Sequence, residues 1–389
     1  MSESQGDSMA AGKLEEVRQY LRQQPVMLAL LAVLAVIFFT AVTGLSRAYQ
    51  AQRNALGSRW FSRGVVDLQA QRFEGAVTEF RSALLYSRDN YDYQLNLAEA
   101  LIGLKRTGEA ATYLVNLWDR QPEDGLVNLE LARIAVQKGQ TEQAQRYYHN
   151  AIYAAWPADQ EGKRQDARLE LIEFLLSTNS RAQAQAELIA LEENLGGDPS
   201  QQERVGDLFL RVQDYEHALG AYRLSLKAER DNGAALAGAG LAAFQLARYP
   251  QAQRYLQAAM AANAGNALIA DRLTVTNLVL GMDPFRRQIP VAQRHKIVVE
   301  AFATAGKRLQ ECGAARGGAL PTATQTSLAS SWTKMKPRIT EGELRVNPDL
   351  VESAMDLVFE IERETSASCG MPSGADAALL LIAKLHEGS

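Results

Sequence analysis

Two cysteines, four histidines and eleven prolines are few for a chain of 389 residues. Each scarcity excludes something. The cysteines, Cys312 and Cys369, stand 57 positions apart and match no paired metal-ligand spacing, and no histidine lies close to either in sequence. His149, His217, His295 and His386 are scattered, so no spacing proposes a base with a partner. No phosphate-binding glycine loop, HExxH or GxSxG is present. No basic run occurs, and a net charge of −4 with 22% charged residues argues against a nucleic-acid binder. The sequence therefore predicts no cofactor, no metal centre and no enzyme of a recognisable hydrolase type. The remaining enzymatic alternative is an enzyme or enzyme subunit with an unrecognised site among the C-terminal helices.

One stretch lacks charge altogether. VMLALLAVLAVIFFTAVTGL, residues 26–45, carries no ionisable side chain. Twenty helical residues at about 1.5 Å each span about 30 Å, the hydrocarbon thickness of a bilayer. A secretory signal would have an apolar core of about 7–15 residues and a small-x-small cleavage site; Ala41-Val42-Thr43 is a poor one. The expectation is a transmembrane helix at 25–46, after a short tail at 1–24 and before a helical stem at 47–56. Met1 to Gly12 reads as disordered, Lys13 to Gln24 as a short amphipathic helix, and Pro25 as the start of the span. Basic residues flank both ends (Lys13, Arg18 and Arg22 against Arg47, Arg53, Arg59 and Arg63), so their count does not orient it. Two cysteines within one terminal module are what an oxidising compartment would permit as a disulfide; two unrelated buried thiols are the alternative. The expectation is a cytoplasmic amino terminus with everything beyond residue 46 outside.

What is abundant is alanine, and it is periodic. Ala76, Ala110, Ala144, Ala184, Ala218 and Ala252 are separated by 34, 34, 40, 34 and 34 residues. Four further on stand Phe80, Leu114, Tyr148, Leu188, Tyr222 and Leu256, and three beyond those Ala83, Leu117, Ala151, Leu191, Ser225 and Ala259. Offsets of 0, +4 and +7 draw one stripe along a helix. Twelve before each alanine lies another small or apolar series, Gly64, Ala98, Ala132, Ile172, Gly206 and Gly240. Each unit is thus a helix hairpin with small residues where the backbones meet.

This ladder resembles the tetratricopeptide repeat, a 34-residue helix–turn–helix unit. Trp60, Gly64, Ala76, Phe80 and Ala83 match it in the first unit, Leu131, Ala132, Ala144, Tyr148 and Ala151 in the third. The expected fold class is all-α: an N-terminal transmembrane helix, an α-solenoid of about six repeats over 57–266, and a capping helix with a small helical domain over 267–389. Six extra residues near Asp159 to Arg164 lengthen one unit. Beyond the repeats, helices are expected at Ala267 to Met282, at Val291 to Cys312, from Pro348 through Glu364 with Asn347 as N-cap, and at Ala375 to His386.

The resemblance implies a concave face lined by the first helix of each unit, where such proteins hold a peptide or a partner helix. Aligned by the ladder, that face carries Asp92, Asn96, Glu99, Glu130, Arg133, Asp166, Glu170, Glu173, Arg204 and Asp207. The lysine–asparagine–arginine clamp by which some relatives grip a terminal carboxylate is missing: Phe61 and Val65 occupy the first-unit positions, only Asn96 survives, and the third unit has Leu126 and Glu130. The expected function is a membrane-anchored scaffold that docks another protein or peptide, in envelope assembly or quality control. Alkaline carbonate extraction tests the anchor: the full chain should stay with the membrane pellet, whereas a chain lacking residues 1–46 should be soluble and keep its helical circular dichroism. Release of the intact chain by carbonate refutes the span.

Overall fold

The computed structural model describes residues 4–193, 195–262, 267–314 and 323–387, and all the regular structure there is helical. The expected end of the repeats at Asn266 and most of the glycine-rich break at 313–322 lie outside the described residues. The chain divides into two compact units, Met1–Leu169 and Glu170–Ser389.

In the first unit α1 (Ser4–Gln69) is one unbroken helix of 66 residues. It runs through the segment expected to be disordered from Ser4 onward, through Pro25, through the apolar run and the stem, and ends as the first helix of the first hairpin. The run from Met27 onward is apolar enough to cross a membrane and is not buried within the protein. Arg53, in the stem, donates from Nη2 to the Tyr86 carbonyl at 2.7 Å, tying the helix to the end of its partner α2 (Phe73–Tyr86). Two more hairpins follow: α3 (Tyr91–Gly103) with α4 (Thr107–Arg120), and α5 (Gly125–Gln137) with α6 (Thr141–Tyr153).

The boundary between the units falls inside α7 (Glu161–Ser177). The second unit continues with α8 (Arg181–Glu192), then pairs α9 (Pro199–Val212) with α10 (Tyr215–Ala228) and α11 (Gly233–Gln245) with α12 (Tyr249–Ala262). The insertion before α7 is a 3-10 turn at Ala158–Gln160 followed by a 17-residue first helix, against 13 in α3 and α5. Among the described residues six further helices follow: α13 (Ala267–Met282), α14 (Val291–Ala314), α15 (Ala323–Met335), α16 (Glu341–Val346), α17 (Asp349–Cys369) and α18 (Gly374–Leu385). Helices α15 and α16 have weak apolar patterns and no sequence expectation anticipated them. The start of α17 also differs from expectation, because Pro348 rather than Asn347 caps it. It runs past Glu364 to Cys369, so the expected loop from Thr365 shrinks to Gly370–Ser373.

The alanine ladder is the core. All six alanines have no exposed surface, and the +4 and +7 residues are at most 4% exposed. Burying a side chain the size of Leu or Phe contributes about 1.5–3 kcal/mol, so these rows carry much of each hairpin's stability. The small residues twelve before the alanine make room for the +4 side chains. A Cβ on Gly64 would stand 2.5 Å from the Phe80 ring, and one on Gly206 would stand 2.9 Å from Tyr222.

The hairpin turns repeat as faithfully as the core. In each unit the first helix closes with a backbone bond from one residue to the carbonyl five before it, at 2.8–2.9 Å: Arg72 to Asp67, Arg106 to Leu101, Gln140 to Ala135, Ser180 to Leu175, Asp214 to Phe209 and Arg248 to Ala243. The residue just before each donor is left-handed, at φ between 55° and 68°: Gln71, Lys105, Gly139, Asn179, Gln213 and Ala247. This is a Schellman closure, which usually takes glycine at that position. Only Gly139 supplies it here.

The turns between repeats carry their own caps. Asn90, Asp124, Asp198 and Asn232 each accept a backbone N–H from the first turn of the following helix, at 2.8–3.0 Å. Sixteen residues before the ladder alanine, buried Gln94, Asn128 and Gln202 each donate an amide to the carbonyl six residues back, at 2.8–3.2 Å. These polar residues satisfy backbone groups that would otherwise be buried unpaired.

The turn geometry predicts opposite effects of glycine and alanine. Space at Gly139 is open, so Gly139→Ala adds only the left-handed strain of about 1–2 kcal/mol, partly offset by glycine's extra unfolded freedom of about 0.5–1 kcal/mol. Its urea midpoint, followed by circular dichroism, should fall, and that of Ala247→Gly should rise.

Candidate functional site

The first-helix faces are built from side chains at helical spacing. On α3, Asp92, Asn96 and Glu99 lie at i, i+4 and i+7 and so share a stripe. Asp92 is exposed; Asn96 and Glu99 are half-buried. Asn96 turns its amide back to the Asp92 carbonyl at 2.9 Å. Burial raises the Glu99 carboxyl above the usual range, and the positive charges of Lys163 and Arg133 pull it the other way. Glu99, on α3, therefore feels charge from two further first helices, α5 and α7, within the first unit.

Glu130 departs from the expected groove lining. It is 7% exposed and forms an ion pair with Arg133 one turn on, so it is a buried partner rather than an open acid. Arg133 stays half-exposed over it. On α7, Asp166 is exposed. The structure thus brings Glu99, Glu130 and Arg133 together with Lys163, a residue not anticipated in the sequence. Lys163 belongs to the insertion, outside the 34-residue ladder that defines the face.

Glu170 and Glu173 belong to the second unit, on the later turns of α7, and both are half-buried. Glu173 accepts an ion pair from Arg211 of α9 at 2.6 Å. With both partners half-exposed, the pair contributes at most about 1 kcal/mol. Arg204 and Asp207 are exposed on α9. Asp207 accepts the hydroxyl of Tyr222, whose ring fills the space over Gly206, so it also fastens α10 to α9. Burial, with Asp207 and Glu203 adding to it, raises the Tyr222 hydroxyl above its ordinary range, so it remains a donor.

The six hairpins are tetratricopeptide-like. The buried ladder and the repeated closures carry that conclusion. Solved tetratricopeptide proteins superpose on parts of the chain. YrrB, described as having an unusual peptide-binding site, matches with 15% identity and a TM-score of 0.41, over 49% of this chain and 95% of its own. PilF of Pseudomonas aeruginosa matches with 17% identity and a TM-score of 0.42, over 56% of this chain and 97% of its own. The TPR2AB domain of yeast Sti1, solved in complex with pHSP90, matches with 15% identity and a TM-score of 0.30, over 73% of this chain and 98% of its own. No protein-family profile and no curated protein matches the sequence.

Among the terminal tetratricopeptide-flanking helices, chemistry-bearing side chains cluster inside. Cys312, at the end of α14, and Cys369, at the end of α17, are joined by a disulfide with Cα atoms 5.8 Å apart. His386 at the end of α18 lies 3.1 Å from buried Asp283 and stacks on Phe359. Glu362 on α17 has no exposed surface. Among the described residues, no group of three or more His, Cys, Asp or Glu is placed to hold a metal ion.

The bridge closes a 57-residue loop, which stabilises by about 4 kcal/mol in the chain-entropy treatment. Thiol-blocking mass spectrometry should find both cysteines protected until reduction. Cys369→Ser should lower the melting temperature of the terminal helices and leave the first unit's melt in place. Free thiols at both positions in protein from native membranes would contradict the bridge.

Proposed function

We propose that this chain is a membrane-anchored interaction scaffold. In this reading residues 26–45 cross the bilayer, the amino terminus is cytoplasmic, and the repeats and terminal helices face an oxidising space outside. The uncharged run, long enough to span and unburied in α1, supports the anchor. The disulfide supports the orientation, because such bonds persist in oxidising compartments.

The docking surface is the first-helix face, and one observation carries it: Glu99, Arg133 and Lys163 converge from three helices at half-buried positions. Charges of both signs gathered at half-buried positions on one face suit recognition of a polar or charged segment. Asp92 and Asp166, exposed at the edges, add negative charge that would steer a basic or polar partner peptide toward Glu99. In the first unit this surface comprises Asp92, Asn96, Glu99, Arg133 and Asp166; in the second, Glu170, Glu173, Arg204 and Asp207 are candidate contacts on its own first helices. Glu130 supports the surface from beneath. Envelope assembly or quality control is the setting that an outward-facing tethered adaptor fits.

Charge reversal at the exposed positions tests the groove without disturbing the buried pair. A partner recovered by crosslinking in native membranes should bind Asp92→Lys/Asp166→Lys more weakly than the wild type at low salt. The difference should shrink at higher salt, since exposed charges are screened over about 10 Å at 0.1 M. Equal affinity at low salt, with circular dichroism unchanged, would move the docking surface elsewhere.

A further inference from the structure

Glu362, in the middle of α17, is fully buried, and neither carboxyl oxygen has a hydrogen-bond partner among the described residues. Its charged surroundings come from the helices packed on α17. From α18 comes Asp376, in the first turn of that helix. From α14 comes Arg308, which also donates from Nη2 to the Gly370 carbonyl at 2.8 Å, at the start of the turn into α18. Lys307 and Glu311, on the same helix, act on Asp376. From α15 comes the uncharged amide of Gln325, which donates to Ser368 further along α17. The other end of α18 is held by His386 against Asp283, which follows α13.

An ionised carboxylate without a hydrogen bond in such a place carries a large desolvation penalty, and Asp376 adds like-charge repulsion. A neutral carboxyl avoids both. We infer that Glu362, Asp376 and Arg308 form a proton-operated latch that holds α18 on α17 while Glu362 is neutral and loosens when it ionises. Burial pushes the Glu362 carboxyl up to about 8, with Asp376 adding to the shift and Arg308 opposing it. Freed from its site, the same carboxyl ionises near 4.5. Between those values the open form sheds a proton that the closed form keeps. The closed form's advantage is therefore full below about 4.5, falls as pH rises toward 8 and levels off above. Since α18 packs on α13, and α13 on the last repeat helix α12, the latch governs how firmly the terminal helices cover that end of the repeats.

Hydrogen exchange of the full chain in detergent micelles, read by mass spectrometry at pH 6, 7 and 8 and corrected for base-catalysed intrinsic exchange, tests it. Amides of α18 should lose protection by up to about tenfold per pH unit relative to those of α2, and Glu362→Gln should flatten the slope. The slope should persist in His386→Asn, which separates it from the pair at the other end. Asp376→Asn removes the repulsion, so Glu362 should ionise at lower pH and the loss should level off earlier. It reads the same group if Glu362→Gln fails to fold. A flat wild-type profile, an unchanged slope in Glu362→Gln, its disappearance in His386→Asn, or an unshifted plateau in Asp376→Asn overturns the latch.

Discussion

Everything in the repeats depends on how closely the two helices of a hairpin approach. Where Gly64 faces Phe80 and Gly206 faces Tyr222, no side chain separates one helix from the ring of the other. A ring seated against bare backbone fixes the spacing and the rotation of both helices together, because protein interiors are packed too densely to absorb a misplaced methyl group. The left-handed turn then has one geometry to close, and it closes the same way six times. Five of those turns use residues other than glycine. Local preference yields here to the packing of the hairpin it joins.

That ranking explains what could be read from the sequence. The period of the alanines located six hairpins, because burial repeats wherever packing repeats, and every ladder position is buried. The helix at 267–282 was equally legible, and so was the next one, whose apolar stripe was read to Cys312 and which runs to Ala314. The turn residues were not, since Gln71, Lys105 and Ala247 have no intrinsic bias toward positive φ. Nor were α15 and α16, whose apolar side chains pack against distant partners: Trp332 stacks on Phe302 and donates its indole N–H to the Phe302 carbonyl at 3.0 Å. The extension of α17 to Cys369 has no local sequence signal, because the bridge to Cys312 and the Arg308 contact at Gly370 hold its last turn.

The first-helix side chains were half legible. Helical spacing put Asp92, Asn96 and Glu99 on one stripe of α3, and the structure keeps them there. Spacing alone could not say how deep each side chain sits. Glu130 aligns with the same face, yet it lies beneath Arg133 as its buried partner, and Asp207 is engaged by Tyr222. Depth depends on neighbours from other helices, and Lys163 arrives from an insertion that breaks the period. A ladder alignment therefore locates a face more surely than it ranks the residues on it.

The continuity of α1 has a mechanical consequence. From position 46 to Gln69 the helix rises about 36 Å without a break, and Arg53 fastens it to the first hairpin on the way. A rod of that length carries torque. In a chain anchored as proposed, any turn of the apolar segment within the bilayer would swing the face bearing Phe61 and its stacked neighbour Tyr93 through the same angle. The first hairpin would then act less like a tethered bead than like the head of a key, with its bearing about the membrane normal set by whatever grips the shaft.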